Sequence, residues 1–434
     1  MEPIDKLSKL LKNTALNALA GWSMVLLLSL LCIGNFIYGR FMWTILIAFV
    51  ICIIIAPAII MRKLSIMPSW YFIVLAIIPI VGSTTAYYFF STSIPFYLSV
   101  ATIALLLAAE INWFTAVKMN YKFAILLVLI VTLAMSGLWH LIQWLLDMNL
   151  GTSYILNNQT SDAINSAMMH EFIYAAIAGI VAGLIFGWYF RPGGSIGNVE
   201  IPIQMSEEAS NYITSRPPAP IRKLLGISSN KQKLAAKIMQ ICLFILLIAG
   251  ILLKDLSTTI NAAAGLAITF IPYFITRKFD IPHYTGLTLW ITLAIFLHSI
   301  GTFAFYESIA RWDNITHVLS ASIVATAGYT IIRAIDIYSN DIFIPPKVLF
   351  LFILLFVLAT GVLWEIFEFL SGGISSELGY EAVLAQHGIN DTMVDLLFNL
   401  LGAILAAAWA TVYLSDISYR LADKFEEIGI KKNK

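Results

Sequence analysis

Charge is scarce in this chain: Lys, Arg, Asp and Glu together make 12% of 434 residues, whereas 60% are hydrophobic. So few ionised groups exclude a disordered chain. A formal net charge of +1 leaves no basic footprint for nucleic acid. Cysteine is nearly missing as well. Cys32, Cys52 and Cys242 fall inside apolar runs without Cys-x-x-Cys spacing, which excludes a disulfide framework and a zinc ribbon. Nor is there the alternating polar and apolar pattern that a transmembrane barrel needs.

What is present is apolar sequence in blocks of helical length. Twelve stretches of roughly twenty residues, the length about 30 Å of hydrocarbon demands, fall near 17–39, 41–60, 70–90, 94–117, 121–148, 170–190, 235–253, 256–276, 284–306, 314–335, 347–370 and 391–415. The expected class is therefore an all-α polytopic membrane protein. Most Lys and Arg fall on one side of these spans, at Lys6, Lys9 and Lys12, Arg62 and Lys63, Lys118 and Lys122, the segment Arg191 to Lys237, Arg277 and Lys278, Arg333 and Lys347, and the tail. The opposite loops hold Arg40, Lys254 and Arg311, and two of them, 149–169 and 371–390, hold no Lys or Arg. The positive-inside bias makes the basic side cytoplasmic, with both termini there and the first span retained.

The one sizeable hydrophilic stretch, 191–234, divides the helices six and six. It carries Arg-Pro-Gly-Gly and Arg216-Pro-Pro-Ala-Pro, and reads as an irregular cytoplasmic linker between a unit at 1–190 and another at 235–418, with a tail at 419–434. A shift of 225 residues sets Trp139-His140 and Gln143-Trp144 on Trp364-Glu365 and Glu368-Phe369, and His170 on Asp395. Because each unit has an even number of spans, such a repeat would be parallel, about an axis along the membrane normal.

Ionisable groups near hydrocarbon are costly and persist mainly when paired or used. Five of the six histidines, His140, His170, His298, His317 and His387, fall at or near the non-cytoplasmic side, with Asp313, Glu365, Glu368, Asp391 and Asp395. Asp313 and His317 are four residues apart and share a helix face, as do Glu365 and Glu368 at a spacing of three. Asp391, Asp395 and Asn399 make a stripe that runs on toward Gly402. Asp313 and Asp391 also suit helix N-termini, where a carboxylate accepts unpaired N–H groups. Glu365 and Glu368 gain nothing of that kind at a C-terminal end. They repel one another, so a shared cation, a shared proton, His317 or a salt bridge to Arg311 is expected.

The order Asp313-x-x-x-His317, then Trp364-Glu365-x-x-Glu368, then Asp391-x-x-x-Asp395-x-x-x-Asn399-x-x-Gly402 resembles the YjdF-like inner-membrane family and, more distantly, the VanZ-like family. The likeness runs from His298 to Gly402. It implies a multi-span plasma-membrane protein, and its VanZ side implies a link to the cell envelope and glycopeptide tolerance. The amino-terminal half departs from the pattern, since His140 and Gln143 stand where the glutamate pair would be.

Three readings remain open. Glu365, Glu368, Asp395 and His317 are the expected reacting groups of a site in which Asp313, His317, Glu365, Asp391 and Asp395 hold a divalent metal ion and act on a lipid-linked or envelope substrate. His298, Arg311, Asn399, His140, Gln143 and His170 would support them. Alternatively, the same groups serve a proton- or cation-linked transporter, or polar cement between helices in a structural component. Lipid is the expected partner in each. No motif marks a nucleotide loop, and neither the metal's identity nor the oligomeric state follows from the residues.

Overall fold

The computed structural model describes residues 14–85, 93–114, 117, 119, 121–189, 228–279, 284–309, 311–338, 342–379, 386–413, 418 and 421. Every regular element of more than one residue among them is helical. In chain order these are α1 (Thr14–Ile37), α2 (Phe41–Ile60), α3 (Trp70–Thr85), α4 (Ser93–Phe114), α5 (Tyr121–Leu150), α6 (Ser161–Tyr189), α7 (Ser229–Leu253), α8 (Leu256–Thr269), α9 (Ile271–Phe279), α10 (Thr285–Ile300), α11 (Trp312–Tyr338), α12 (Pro346–Glu377) and α13 (Ile389–Tyr413). Ten segments are long and apolar enough to cross a bilayer, α8 and α9 together making one of them. Two shorter apolar helices, Trp70–Gly82 and Phe96–Ile111, accompany them.

The ends of these helices depart from the apolar blocks where polar residues can be satisfied locally. The α6 helix begins nine residues before the expected 170, because Thr160 caps it through Ala163 N–H (3.3 Å) and Asp162 suits its first turn. The α7 helix gains a lysine-bearing first turn capped by Ser228. The α12 helix runs on to Glu377 through a segment that reads as loop in the sequence. The linker 191–227 and the tail from 422 lie outside the described residues.

Contacts divide the chain into two compact units: Met1–Ser136 with Glu171–Gln204, and Gly137–His170 with Met205–Lys434. In the first, α1 packs on α2 and α3, and α4 on α2 and α3. A hydrogen bond from Tyr97 to Glu171 Oε2 (2.7 Å) ties α4 to α6. In the second, α7 and α8 form a hairpin. Lys254, at φ 57°, turns the chain, and Asp255 caps α8 by accepting from Thr258 N–H. The α10 helix packs against both, and α11 lies along α13, flanked by α12. The α11–α13 crossing is close because Gly402 faces the Val318 carbonyl, and any Cβ there would strike it. Gly361 likewise lets α12 approach Asn399 and Leu396 of α13.

Candidate functional site

The second unit gathers acidic and histidine side chains at one end, where α10 and α12 finish and α11 and α13 begin. Its centre is His317. Its Nε2 stands 3.6 Å from Asp313 Oδ1, one turn back on α11, and 3.6 Å from Asp395 Oδ1 on α13. One donor atom from each of the three lies within 4.8 Å of the others. His317 Nδ1 donates to Asn399 Oδ1 at 3.3 Å. That bond turns the ring so that Nε2 faces the two carboxylate oxygens. A ring nitrogen and two carboxylate oxygens so placed are held together by a shared proton or a cation. Donors bound about 2.1 Å from one ion at tetrahedral angles stand about 3.4 Å apart, close to the spacings observed. Asp395 is only 3% exposed, and its Oδ1 has no hydrogen-bond partner.

The glutamates lie on the neighbouring helix. Glu365 is fully buried. Gln386 Nε2 donates to its Oε2 and to its main-chain oxygen, both at 2.9 Å, while Oε1 has no partner. Gln386 is held in turn by Asn165 of α6, which donates to its Oε1 at 2.9 Å. Glu365 and Glu368 are near enough that their charges interact, and both act on Asp395, as do Asp313 and Asp391. Asp391 also takes the local role open to it, accepting from His387 N–H at 3.0 Å. The first turn of α13 is completed from another helix, since Ile389 N–H donates to Ser161 Oγ (3.1 Å) beside Gly388, whose φ of 84° suits glycine.

His298 joins through a residue that the sequence motifs pass over. The α10 helix widens into a π-helical turn at Gly301–Phe305 before a last turn at Tyr306–Ser308. This brings the Tyr306 hydroxyl to His298 Nδ1 (2.7 Å) and within 3.4 Å of Thr316 Oγ1. Thr316 reaches Asp313 in turn. Gly301 is required here, because a Cβ would meet the Tyr306 ring and the Trp312 indole at 2.8 Å. The Trp312 indole instead donates to Leu297 O (3.0 Å).

Asp313, His317, Asp395 and Asn399 thus meet directly, with Glu365, Glu368 and Asp391 around them and His298 linked through Tyr306 and Thr316. Arg311 is exposed, at φ 67°, and forms no ion pair with Glu365 or Glu368. His140 is buried on α5, Gln143 is half-buried, and exposed His170 donates to Ser166 O (2.7 Å) with its ring edge-on to Phe369. None of these three touches the His317 centre. Gln386, Tyr306 and Thr316 carry no sequence signal beyond being polar residues near span ends. Asp147 is another such case: it accepts from the Thr152 hydroxyl and from the N–H groups of Tyr154, Ile155 and Leu156, pinning the loop that follows α5.

Fold and site together define an all-helical, multi-pass membrane protein with a buried acidic and histidine cluster at one end of a helical unit. Within that class the chain belongs to the YjdF-like family described as predicted membrane protein DUF2238, which matches residues 235–416 and so spans the whole cluster. Residues 5–67 match a domain of unknown function, DUF8268. An uncharacterised protein of Thermotoga maritima is 36% identical over 143 residues, covering 32% of this chain and 68% of the relative. No solved structure matches.

Proposed function

We propose that this is a plasma-membrane protein that binds a divalent cation on Asp313, His317 and Asp395 and uses it on a lipid-linked or envelope-linked substrate, a phosphate carried by lipid being the chemistry such an ion suits. The observation that carries this reading is the convergence of two carboxylates on an imidazole nitrogen whose proton is held on the far side by Asn399. Metal-ligating histidines are oriented in the same way, through the other ring nitrogen. The ten long apolar helices and two shorter ones support twelve spans. With the lysine and arginine distribution, they support both termini in the cytoplasm and the cluster on the opposite face. The division at 1–190, 191–234, 235–418 and 419–434, with the six-helix units as parallel repeats, is part of the same reading.

The test is metal analysis of the detergent-purified protein. Wild type should carry a stoichiometric ion that His317→Ala and Asp395→Asn lose while keeping their gel-filtration profile. A folded wild type that holds no ion after exposure to Zn²⁺ or Mn²⁺ overturns the reading. The hydrogen-bonded run from His298 through Tyr306 and Thr316 favours a second reading, a proton- or cation-linked transporter. Ion flux in proteoliposomes that His298→Phe abolishes would replace the first reading with it.

A further inference from the structure

We propose that the end of the second unit where α7 starts and α9 finishes binds the phosphate headgroup of an anionic membrane lipid. This surface is independent of the cation reading. The α10 helix starts beside it, where the Thr285 hydroxyl donates to Gln232 Oε1 of α7 (2.6 Å), and finishes at the histidine and carboxylate cluster.

The helical hairpin gathers positive charge at this end. Lys231, Lys233 and Lys237 are exposed on the first turns of α7, and Arg277 and Lys278 are exposed on the last turn of α9. Gln240 of α7 donates to Thr269 Oγ1 (3.1 Å), at the end of α8. Lys233 and Lys237 share the α7 face of Gln240 at spacings of four and three, so they fall on the side turned toward α8. The Phe274 N–H donates to Phe270 O (3.1 Å) and carries the helix across the junction of α8 and α9. Counting back from Gln240 to Lys233 and forward from Thr269 to Arg277, at about 1.5 Å per residue, puts both cations roughly 10–12 Å beyond that hydrogen bond. Neither α7, α9 nor α10 carries an Asp or Glu. Asp280, which follows α9, lies outside the described residues. The contrast is with the end of α11, where Arg333 is paired with Asp336.

Below the cations the surface is apolar. Lys231 heads an exposed stripe of Leu234, Ile238, Ile241 and Ile245 at spacings of three and four. Tyr273, exposed one turn before Arg277, suits the headgroup level. Of the ten long apolar segments, α7 has the least of its span buried, 17%, so this stripe is left to the bilayer. Cations above a lipid-facing stripe match a phosphate carried on acyl chains in both charge and polarity, whereas a soluble anion would use the charge alone.

The test uses the full-length protein in phosphatidylcholine vesicles, with electron paramagnetic resonance of spin-labelled lipid reading the fraction held at the protein surface. Wild type should hold phosphatidylglycerol in preference to phosphatidylcholine, and the preference should fade as salt is raised to about 1 M. Lys233→Gln with Arg277→Gln should lower it by up to about fivefold per charge removed. Arg62→Gln with Lys63→Gln, exposed cations just past α2, should leave it unchanged. All four side chains are exposed, so loss of folding does not confuse the comparison. Equal retention of the two lipids overturns the proposal, as does a preference that Lys233→Gln with Arg277→Gln leaves intact or that Arg62→Gln with Lys63→Gln lowers equally. Full release of the labelled lipid by inorganic phosphate at matched ionic strength overturns it too, since the ligand would then be a soluble anion.

Discussion

At the scale of single residues, the orientation of His317 depends on one amide. Asn399 Oδ1 accepts the Nδ1 proton and thereby points Nε2 at Asp313 and Asp395. Outer partners of metal-bound histidines contribute about 10–100-fold in affinity. Asn399→Leu should therefore weaken Mn²⁺ binding by roughly that factor, and Asn399→Asp, which keeps the acceptor, should restore most of it. Titration calorimetry gives both numbers, and equal affinity in all three proteins would show that the amide has no such role.

At the scale of elements, small residues set the distances at which the site can form. Gly402 lets α13 sit on the Val318 carbonyl of α11, and Ala321 lies 3.0 Å from where its Cβ would be. Gly402→Val should cost about 1–3 kcal/mol by overpacking. Because the same crossing holds Asp395 beside His317, the variant should also bind Mn²⁺ more weakly. A thermal melt unchanged from wild type would show that the helices yield there at no cost. The Asp147 loop is a separate case, with one carboxylate satisfying three backbone N–H groups and a hydroxyl. Asp147→Ala should lose on the order of 2–3 kcal/mol locally, seen as faster hydrogen exchange or proteolysis across 151–160. Unaltered exchange would mean that the loop is held by other contacts.

At the scale of the whole molecule, the proposed cation site would link binding to folding, because its candidate ligands, Asp313 and His317 of α11 and Asp395 of α13, converge only in the folded chain. Free Mn²⁺ at about 100 times its dissociation constant should add about 2.7 kcal/mol per bound ion. The unfolding temperature should therefore rise with Mn²⁺ and fall with EDTA, and Asp395→Asn should respond to neither. A wild type whose unfolding temperature ignores both additions would remove the metal from the account of stability. Asp336, by contrast, is satisfied at the other end of α11 by Arg333 and by Ile344 N–H, and should leave the cation response unaltered.

The sequence by itself determined the helical class, the position of nearly every apolar helix and the pool of residues from which the site is drawn. Each of these follows from local quantities: a run of apolar residues fixes a span, and spacings of three and four fix a shared face, as with Asp313 and His317. The motif order that resembles the YjdF-like family is legible for the same reason. Only the tertiary structure decided which of those polar residues meet. Asp395 reaches His317, while His140, His170 and Gln143 stay outside the His317 centre and Arg311 leaves both glutamates alone, because these outcomes depend on how separate helices cross rather than on position along one helix. Gln386 as the clamp on Glu365, and Tyr306 turned toward His298 by a π-helical turn, had no sequence signal, since each is a single polar residue whose partner lies elsewhere. The helix crossings at Gly402 and Gly361, and the turn at Gly301, convert a scatter of acidic residues into one centre, and those close approaches exist only once the helices pack.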